Sequence, residues 1–538
     1  MKTVGEMLVG LLEARGVEIV FGIPGVHTIE LYRGLAASRI RHVTPRHEQA
    51  AGFMADGYAR ATGKPGVAFL ITGPGLTNAV TAMAQARADS VPVLAISGVN
   101  ARATLGKGLG HLHELPDQRA LMRSFCLSSE RIEAPEDLAP AIDRAFALFS
   151  SGRPGPVHIE IPTDVMSLPC SEDGAVADSG GAVLPDPDAI DRAAKVLAKA
   201  KRPAILIGGG AKGAADLVAR IAQRLDAPVV ATANARGIMH AQPLLVPASP
   251  SLKAVRALLA DSDAVLAVGT EFGPTDYDMY AVGGFPDLQN LVRIDIDAAQ
   301  LARRPAEIAI QADASVALES LSAAIERSRS AGDASDASDT PSTGAARAEA
   351  AREAAWEEIG DRYRTHVGAL EAIREAMPGA FIVGDSTQAI YAGNLFYDHD
   401  RPGGWYNAAT GYGALGYGPP AAIGAALGRP DVPVVCLAGD GGMQFVLAEL
   451  GTAMDEKAKV VFVVWNNNGF QEIESAMVEA GIAPVGVRPS APDFCLAAQA
   501  YGMQAERIDS LTSLGDALRR ASAPDGPSLI EIVGDPAL

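Results

Sequence analysis

A chain of 538 residues exceeds what one hydrophobic core usually serves, so more than one domain is expected. Hydrophobic residues at 48% and charged residues at 20% fit a globular protein and exclude a disordered or fibrous one. The formal net charge of -19 argues against nucleic acid as a partner, because proteins that bind the phosphate backbone usually display a basic face.

The N-terminus and the cysteines bear on location. The first residues, MKTVGEMLVGLLEAR, predict an amphipathic helix with acidic residues rather than a signal peptide. Apolar runs such as 460–465 are far shorter than the roughly 20 residues that a membrane span needs, so no membrane partner is expected. The four cysteines lie far apart, without metal-ligand spacing. We therefore predict a soluble protein of the reducing cytoplasm.

The first third alternates short apolar runs with helical stretches, which predicts a parallel α/β sheet. Its predicted strands are 19–21, 67–71, 93–96 and 157–162. Residues 167–187 are rich in Gly, Asp, Ser and Pro and predict a linker.

Two further α/β stretches follow, separated by a low-complexity segment at 328–346 that predicts a second linker. Their predicted strands are 204–207, 229–231, 264–268, 291–296, 381–383, 434–437, 460–465 and 528–533. The chain is therefore predicted to be α/β, with three domains at 1–166, 188–327 and 347–538, each a parallel sheet flanked by helices. Gly208 to Gly210 follow a strand and leave two interpretations open, a dinucleotide loop or close strand-to-helix packing.

Polar and glycine residues follow two predicted strands of the last third. They are Gly439, Asp440, Gly441, Gly442, Asn467 and Gly469. Parallel strands end at the same edge of a sheet, so Asp440, the Asn467 side chain and the Gly469 carbonyl are predicted to converge on Mg²⁺. The amides of Gly441 and Gly442 would cradle a diphosphate. An ordinary Asx turn beside an Asn-rich loop is the alternative.

The sequence resembles a known superfamily in the GDGG motif at 439–442 and the NNNG motif at 466–469. Four other segments share the resemblance: FGIPG at 21–25, HEQAAGFMADGYAR at 47–60, TGPGLTN at 72–78 and TGYGALGYGPPAAIG at 410–424. The superfamily is that of the thiamine diphosphate enzymes acetolactate synthase and pyruvate decarboxylase. The resemblance implies pyrimidine-binding, middle and diphosphate-binding domains, in that order. It also implies that each cofactor lies between the first domain of one subunit and the last domain of another, hence a homodimer or a homotetramer.

The resemblance also implies roles at the cofactor. Glu48 would face N1′ of the aminopyrimidine, Leu415 would wedge between the two rings, and Gly413 would offer its carbonyl to the 4′-amino group. The other expected cofactor residues are Thr72, Gly73 and Asn78 on the opposite wall and Ser386, Thr387 and Gln388 at the diphosphate. A solvated charge at a helix start is the alternative for Glu48.

Two departures from acetolactate synthases bear on the reaction. Where they usually carry a Gln, this chain has LGHLHELPDQ at 109–118, so His111 and His113 become candidate proton donors on a common face, as paired histidines serve in the decarboxylases. A structural role for either histidine stays open. The Arg that normally meets a flavin is replaced by Thr270-Glu271-Phe272, with Asp276 and Asp278 nearby, which speaks against FAD.

The substrate pocket departs as well. At the positions where acetolactate synthases place Met, an aliphatic residue and Trp, this chain has Glu472, Ile473 and Ala476. A longer, acidic pocket favours a long cationic 2-oxo acid. Together with Val26 and His27 in FGIPGVHTIELYRGL, this pattern resembles the 5-guanidino-2-oxopentanoate decarboxylases.

That resemblance implies decarboxylation of 5-guanidino-2-oxopentanoate to 4-guanidinobutanal and CO₂. Glu472 as a plain helix N-terminal charge is its structural alternative. A carboligase of the acetolactate synthase type, condensing pyruvate, is the functional alternative. A binding module without catalysis and a dinucleotide oxidoreductase built on the middle domain are more remote readings.

Overall fold

The computed structural model describes residues 2–171, 181–279, 281–330 and 343–534. Parts of both predicted linkers, 172–180 and 331–342, lie outside the described residues. Among the residues that are described, no helix combines the length and apolar character that a membrane crossing requires.

The first third contains eight strands and seven helices among its described residues. The strands are β1 (Lys2–Thr3), β2 (Ile19–Gly22), β3 (Arg41–Val43), β4 (Gly66–Leu70), β5 (Val93–Val99), β6 (Ser128–Arg131), β7 (Val157–Pro162) and β8 (Pro169–Cys170). The helices are α1 (Val4–Ala14), α2 (Ile29–Ala36), α3 (Glu48–Thr62), α4 (Pro74–Ala88), α5 (Gln118–Arg123), α6 (Leu138–Ser150) and α7 (Thr163–Met166). Six strands form a parallel sheet in the order β3-β2-β4-β5-β7-β6. Every position of β4 and β5 is buried, as expected for the centre of a parallel sheet with helices on both faces.

The middle third repeats this architecture. Its strands are β9 (Pro203–Ile207), β10 (Val229–Ala231), β11 (Leu245–Val246), β12 (Ala264–Val268), β13 (Leu291–Asp295) and β14 (Ile308–Gln311). Its helices are α8 (Pro187–Lys199), α9 (Ala215–Leu225), α10 (Lys253–Ala260), α11 (Pro274–Tyr277), α12 (Ala298–Arg303) and α13 (Ala314–Ser330). The sheet order is β11-β10-β9-β12-β13-β14, again parallel.

The last third begins with the long helix α14 (Thr343–Ala376), which is interrupted at Gly360, where φ is 74°. Its strands are β15 (Phe381–Gly384), β16 (Trp405–Asn407), β17 (Val434–Gly439), β18 (Val460–Asn466), β19 (Gln504–Ile508) and β20 (Ser528–Val533). The other helices are α15 (Gln388–Leu395), α16 (Gly418–Gly428), α17 (Asp440–Phe445), α18 (Glu449–Asp455), α19 (Gln471–Glu479), α20 (Phe494–Ala500) and α21 (Leu514–Ala521). The sheet order is β16-β15-β17-β18-β20-β19.

The predicted fold class is confirmed, since each third of the chain builds one six-stranded sheet flanked by helices. Every predicted strand is present. The strands that the sequence pattern missed include both edges of every six-stranded sheet, which are β3, β6, β11, β14, β16 and β19.

The described residues fall into two compact units. The first contains 2–171, 383–387 and 407–534, and the second contains 181–279, 281–330, 343–382 and 388–406. Inside the first unit, α3 and α16 approach through glycines. A Cβ atom at Gly57 would lie 1.9 Å from the Ala421 carbonyl oxygen, and one at Gly424 would lie 2.0 Å from that of Met54. The beginning and the end of the chain therefore pack as one body.

Candidate active site

Asp440, Asn467 and Gly469 meet at the ends of two neighbouring strands. β17 and β18 pair in parallel with Gly439 opposite Trp465, so both end at the same edge of the sheet. One terminal atom of the Asn467 amide lies 2.9 Å from the Gly469 carbonyl oxygen and 3.2 Å from Asp440 Oδ1. The structure thus brings together the three residues predicted as metal ligands.

The Asp440 carboxyl group is buried, and its Oδ2 atom has no hydrogen-bond partner among the described residues. Burial raises the pKa of Asp440, although backbone N–H groups, including that of Gly441, favour its charged form. Burying a carboxylate costs free energy unless a cation or a hydrogen-bond donor pairs with it. If the Asn467 nitrogen faces the two neighbouring oxygens, it donates two hydrogen bonds. If its oxygen faces them, three oxygens surround a place for a cation.

The glycines predicted to hold a diphosphate lie against the turn after β15. A Cβ atom at Gly439 would lie 3.3 Å from Thr387 Oγ1, and one at Gly442 would lie 2.7 Å from Asp385 Oδ1. Ser386 donates its backbone N–H to the same Asp385 oxygen at 2.8 Å. The two predicted diphosphate segments are therefore neighbours in space.

Gln388 is the third residue predicted to cap the diphosphate. It belongs to the second compact unit, whereas Ser386 and Thr387 belong to the first. Its Oε1 lies 3.4 Å from His366 Nε2, and its Nε2 is buried without a partner among the described residues. Within its own unit, the Gln388 side chain is therefore directed to His366.

Gly413 and Leu415 lie in the loop that precedes α16. Gly413 has a φ of 78°, which favours glycine, and donates its N–H to the Ala408 carbonyl at 3.0 Å. The next N–H, that of Ala414, donates to Oε1 of the buried Gln85 of α4 at 3.2 Å. Gln85 thereby fixes the loop on which the half-buried Leu415 stands.

Glu48 is the first residue of α3, directly after its N-cap, His47. Asn78 Nδ2 donates to Glu48 Oε2 at 2.9 Å. The turn before Glu48 is held by α18, since the Arg46 N–H donates to Oε1 of the buried Glu449 at 2.9 Å. Glu48 itself is half-buried, so it is not the freely solvated charge of the alternative interpretation.

His27, Thr72 and His113 form a cluster of polar side chains in the N-terminal sheet region. The two imidazole rings lie 5.3 Å apart at 64°. A Cβ atom at Gly98 would lie 2.6 Å from the His27 carbonyl and 3.1 Å from Thr72 Oγ1, and one at Gly73 would lie 2.6 Å from the His113 carbonyl. Both Nδ1 atoms and Thr72 Oγ1 are buried without a partner among the described residues. Burial and the neighbouring His113 lower the pKa of His27.

His111 lies elsewhere. It is exposed, and its N–H is one of four backbone donors, at 108–111, that surround the Glu114 carboxylate. The segment turns sharply, with a φ of 62° at His113. The structure therefore pairs His113 with His27, which differs from the common face expected for His111 and His113.

Helix α19 carries three of the five predicted substrate residues, Glu472, Ile473 and Ala476, and has no buried residue. Its first turn contains two glutamates in different situations. Glu474 Oε1 forms an ion pair with Arg488 at 2.5 Å, which lowers the Glu474 pKa. Glu472 Oε2 is buried without a partner among the described residues. Ile473, 53% exposed, and Ala476 lie on the exposed surface of the helix.

The first compact unit also exposes large apolar side chains. They include Val26, Ile29, Leu112, Phe445, Ile473 and Val485, each more than half exposed. Such side chains around a candidate site indicate an interaction surface.

The glycine loop of the middle domain packs against protein. A Cβ atom at Gly208 would lie 2.2 Å from the Gly269 carbonyl, which favours close packing over a dinucleotide loop. At the position considered for a flavin, the Arg293 guanidinium lies 4.9 Å from the Phe272 ring centre, and Arg304 lies 5.2 Å from the same ring. Asp276 accepts a hydrogen bond from a backbone N–H at 3.1 Å. Arg293 and Arg304 therefore pack on Phe272 in this region.

Sequence reasoning did not single out three buried residues at the site. Gln118 Oε1 accepts the Gly73 N–H at 3.2 Å, Gln85 anchors the loop before α16, and Asp385 joins the turn after β15 to that loop. Asp385 follows a strand end just as Asp440 does, so the same rule could have found it. Nothing in the sequence pattern marks the two glutamines.

Three family models match the chain. They are the N-terminal TPP binding domain of thiamine pyrophosphate enzymes at residues 2–121, the central domain at 190–321 and the C-terminal TPP binding domain at 385–532. Thiamine pyrophosphate is thiamine diphosphate under another name. The matched order agrees with the order of the three sheets.

Individual relatives cover nearly the whole chain. "Probable 2-ketoarginine decarboxylase AruI" of Pseudomonas aeruginosa is 44% identical over 98% of this chain and 94% of its own length. The acetolactate synthase isozyme 1 large subunit of Escherichia coli is 30% identical over 98% of this chain and 93% of its own length. The solved structure of a thiamine diphosphate-dependent 4-hydroxybenzoylformate decarboxylase of Rhodococcus jostii superposes with a TM-score of 0.82 at 26% identity, covering 99% of each chain. Together with the strand-end residues described above, these matches show that the chain belongs to the thiamine pyrophosphate enzyme family.

Proposed function

We propose that this chain catalyses the Mg²⁺-dependent decarboxylation of 5-guanidino-2-oxopentanoate, which is 2-ketoarginine, to 4-guanidinobutanal and CO₂. The observation that carries the substrate class is the Glu472 carboxylate, whose Oε2 atom is buried without a partner among the described residues. A guanidinium group offers paired N–H donors that match a carboxylate. The name of the Pseudomonas relative supports the same acid.

Magnesium fits the oxygens at the end of β17 and β18. An octahedral ion with ligands at about 2.1 Å places neighbouring ligands about 3 Å apart. The Asn467 amide lies at 2.9 Å and 3.2 Å from the other two groups, which agrees with that spacing if its oxygen faces them. The ion would also stabilise the charged form of the buried Asp440 carboxyl and so oppose the effect of burial on its pKa.

The cofactor would be held by groups that the site already offers. Asp440 and Asn467 would hold the metal beside the diphosphate, Ser386 and Thr387 would lie at its far side, and Leu415 would support the rings. When bound, thiamine diphosphate would supply the electron sink for the C–C bonding pair that stays behind when CO₂ leaves. For Gln388, a place at the diphosphate stays a prediction from the family resemblance.

Glu48 would hold the proton of the aminopyrimidine. Asn78 donates to Oε2, which orients the carboxyl group and leaves Oε1 to share a proton with N1′. The α18 clamp on Arg46 fixes where α3 begins, so the carboxyl group is positioned before any ligand arrives.

The reaction consumes one proton, because a proton takes the place of the departing carboxylate on the carbonyl carbon, and the guanidinium group keeps its charge. His113 and His27 are the pair that would deliver it to the product carbon. The lowered pKa of His27 means that two protonated rings side by side are disfavoured near neutral pH. The exposed His111 would act only if its loop moved inward.

We further infer a homodimer or homotetramer in the reducing cytoplasm. The exposed apolar side chains of the first unit, Val26 and Ile473 among them, support self-association. All four cysteines are free thiols, which supports a reducing compartment. Sedimentation of the holoenzyme would test the assembly.

The test is CO₂ release from 5-guanidino-2-oxopentanoate and from pyruvate, with thiamine diphosphate and Mg²⁺ present. Glu472→Gln should lower kcat/KM for the guanidino acid by about 10- to 100-fold, the size of one charged hydrogen bond, and leave pyruvate unchanged. The matched control is Glu474→Gln. Glu474 lies two residues further along α19 and is already paired with Arg488.

Equal losses for both acids, or an equal loss in Glu474→Gln, would refute the role of Glu472. Preference for pyruvate, with acetolactate among the products, would favour the carboligase alternative. The 30% identical acetolactate synthase is the observation behind that alternative.

A further inference from the structure

Asp385 is a fully buried carboxylate that no step above uses. It follows β15 directly. Backbone N–H groups of neighbouring segments donate hydrogen bonds to its two oxygens. Its Oδ1 accepts from Ser386 at 2.8 Å and its Oδ2 accepts from Gly418 at 3.1 Å. The N–H groups of Gly416 and Tyr417 also stabilise its charge.

These donors belong to separate segments of the candidate cofactor site. Ser386 starts the turn predicted to cap the diphosphate, and 416–418 ends the loop that carries Leu415. The third segment is α17, because a Cβ atom at Gly442 would lie 2.7 Å from Asp385 Oδ1. One side chain therefore lies beside three of the stretches of the last domain that form the candidate cofactor site.

Burial of the Asp385 carboxylate costs free energy of folding. Burial raises the pKa of Asp385 to about 6, against the opposing effect of the backbone donors. Burial and the charge of Asp385 both raise the pKa of the Cys436 thiol of β17, so this thiol is a neighbour of Asp385. An apolar side chain here would leave these backbone N–H groups without an acceptor, so the carboxylate holds the segments that carry them.

We propose that Asp385 is a positioning residue of the cofactor site, one that fixes the Leu415 loop relative to the Ser386 turn and the Gly442 backbone. It is not expected to touch the reacting atoms. This inference rests on the proposed cofactor site, since it assigns a function to the geometry that joins its segments.

The test compares Asp385→Asn with the wild type in three measurements at saturating Mg²⁺. They are the thiamine diphosphate Kd by calorimetry, kcat at saturating cofactor, and KM for the oxo acid. We expect a Kd about 10- to 100-fold weaker, as for the loss of one or two hydrogen bonds to a charged acceptor, with KM unchanged. Asp385→Glu, which keeps the charge but moves it toward Gly442, should weaken Kd as well and replaces Asp385→Asn if that variant does not fold.

Cys436→Ala is the control, because it disturbs the buried neighbour of Asp385 without removing an acceptor. It should lower the thermal midpoint and leave the cofactor Kd unchanged. A wild-type Kd in the Asp385 variants, or the same loss of affinity in Cys436→Ala, would overturn the positioning role while the cofactor site stands. A wild-type protein that binds no thiamine diphosphate would overturn the site and this inference together.

Discussion

Replacing Asp440 by Asn should raise the stability of the protein without ligands and reduce the stabilisation that its ligands add. The buried Oδ2 atom has no partner among the described residues, and burial raises the carboxyl pKa. Such an unsatisfied buried group costs about 1–3 kcal/mol, and a neutral amide removes the charge from that place. At about 2–4 °C per kcal/mol, the midpoint of the apoprotein should rise by about 2–12 °C.

The ligands should act in the opposite direction. Losing a charged ligand is expected to weaken Mg²⁺ and cofactor binding by about 100-fold. At a ligand concentration about 1000 times the wild-type Kd, binding stabilises the wild type by about 4.1 kcal/mol and such a variant by about 1.4 kcal/mol. The increment caused by Mg²⁺ and thiamine diphosphate should therefore be about three times larger in the wild type.

Thermal unfolding of both proteins, each with and without Mg²⁺ and thiamine diphosphate, checks both statements. Asp525→Asn is the control, since Asp525 is 84% exposed and paired with Lys459, and neither midpoint should move. An apo Asp440→Asn protein that unfolds below the wild type, or equal ligand increments in the two proteins, would refute the reasoning.

Two further results are expected. Glu48→Gln should lower kcat by about 10²- to 10⁴-fold while the thiamine diphosphate Kd stays within a few-fold of the wild type, measured by steady-state rates and calorimetry; a kcat near that of the wild type would contradict the assignment. His158 is buried between Ser97 and Ser129 with its pKa lowered to about 3, so the folded state keeps it neutral. In the unfolded chain a His takes up a proton near pH 6.5. The free energy of unfolding should therefore fall as the pH drops from 6.5 toward 3, by up to about 1.4 kcal/mol per pH unit. His158→Gln should flatten the dependence of the thermal midpoint on pH.

The central strands could be predicted because burial on both faces demands a continuous apolar run, as in β4 and β5. The edge strands could not. In β14, buried Ile308 and Ile310 alternate with exposed neighbours, and β19 is buried only at Ile508. Short, half-exposed strands look like loops in a sequence, and only their pairing with an inner strand defines them.

Some contacts of the candidate site could likewise be predicted from the sequence, and others could not. Asp440 and Asn467 could be placed together because both follow neighbouring parallel strands. The pairing of His113 with His27 could not, since the alternation of His and Leu at 111–113 suggests a strand where the chain turns. Asp385 binds backbone N–H groups more than 30 positions away, and the sequence does not encode such contacts in any local pattern.

The clamp of Glu449 on the turn before Glu48 limits how this enzyme can be recombined with its relatives. A crossover that takes the first third from one parent and the last third from another breaks a contact that sets the position of Glu48. An exchange confined to residues 181–382 leaves that contact within one parental sequence. Chimeras should therefore tolerate a foreign middle domain more readily than a foreign partner for either end.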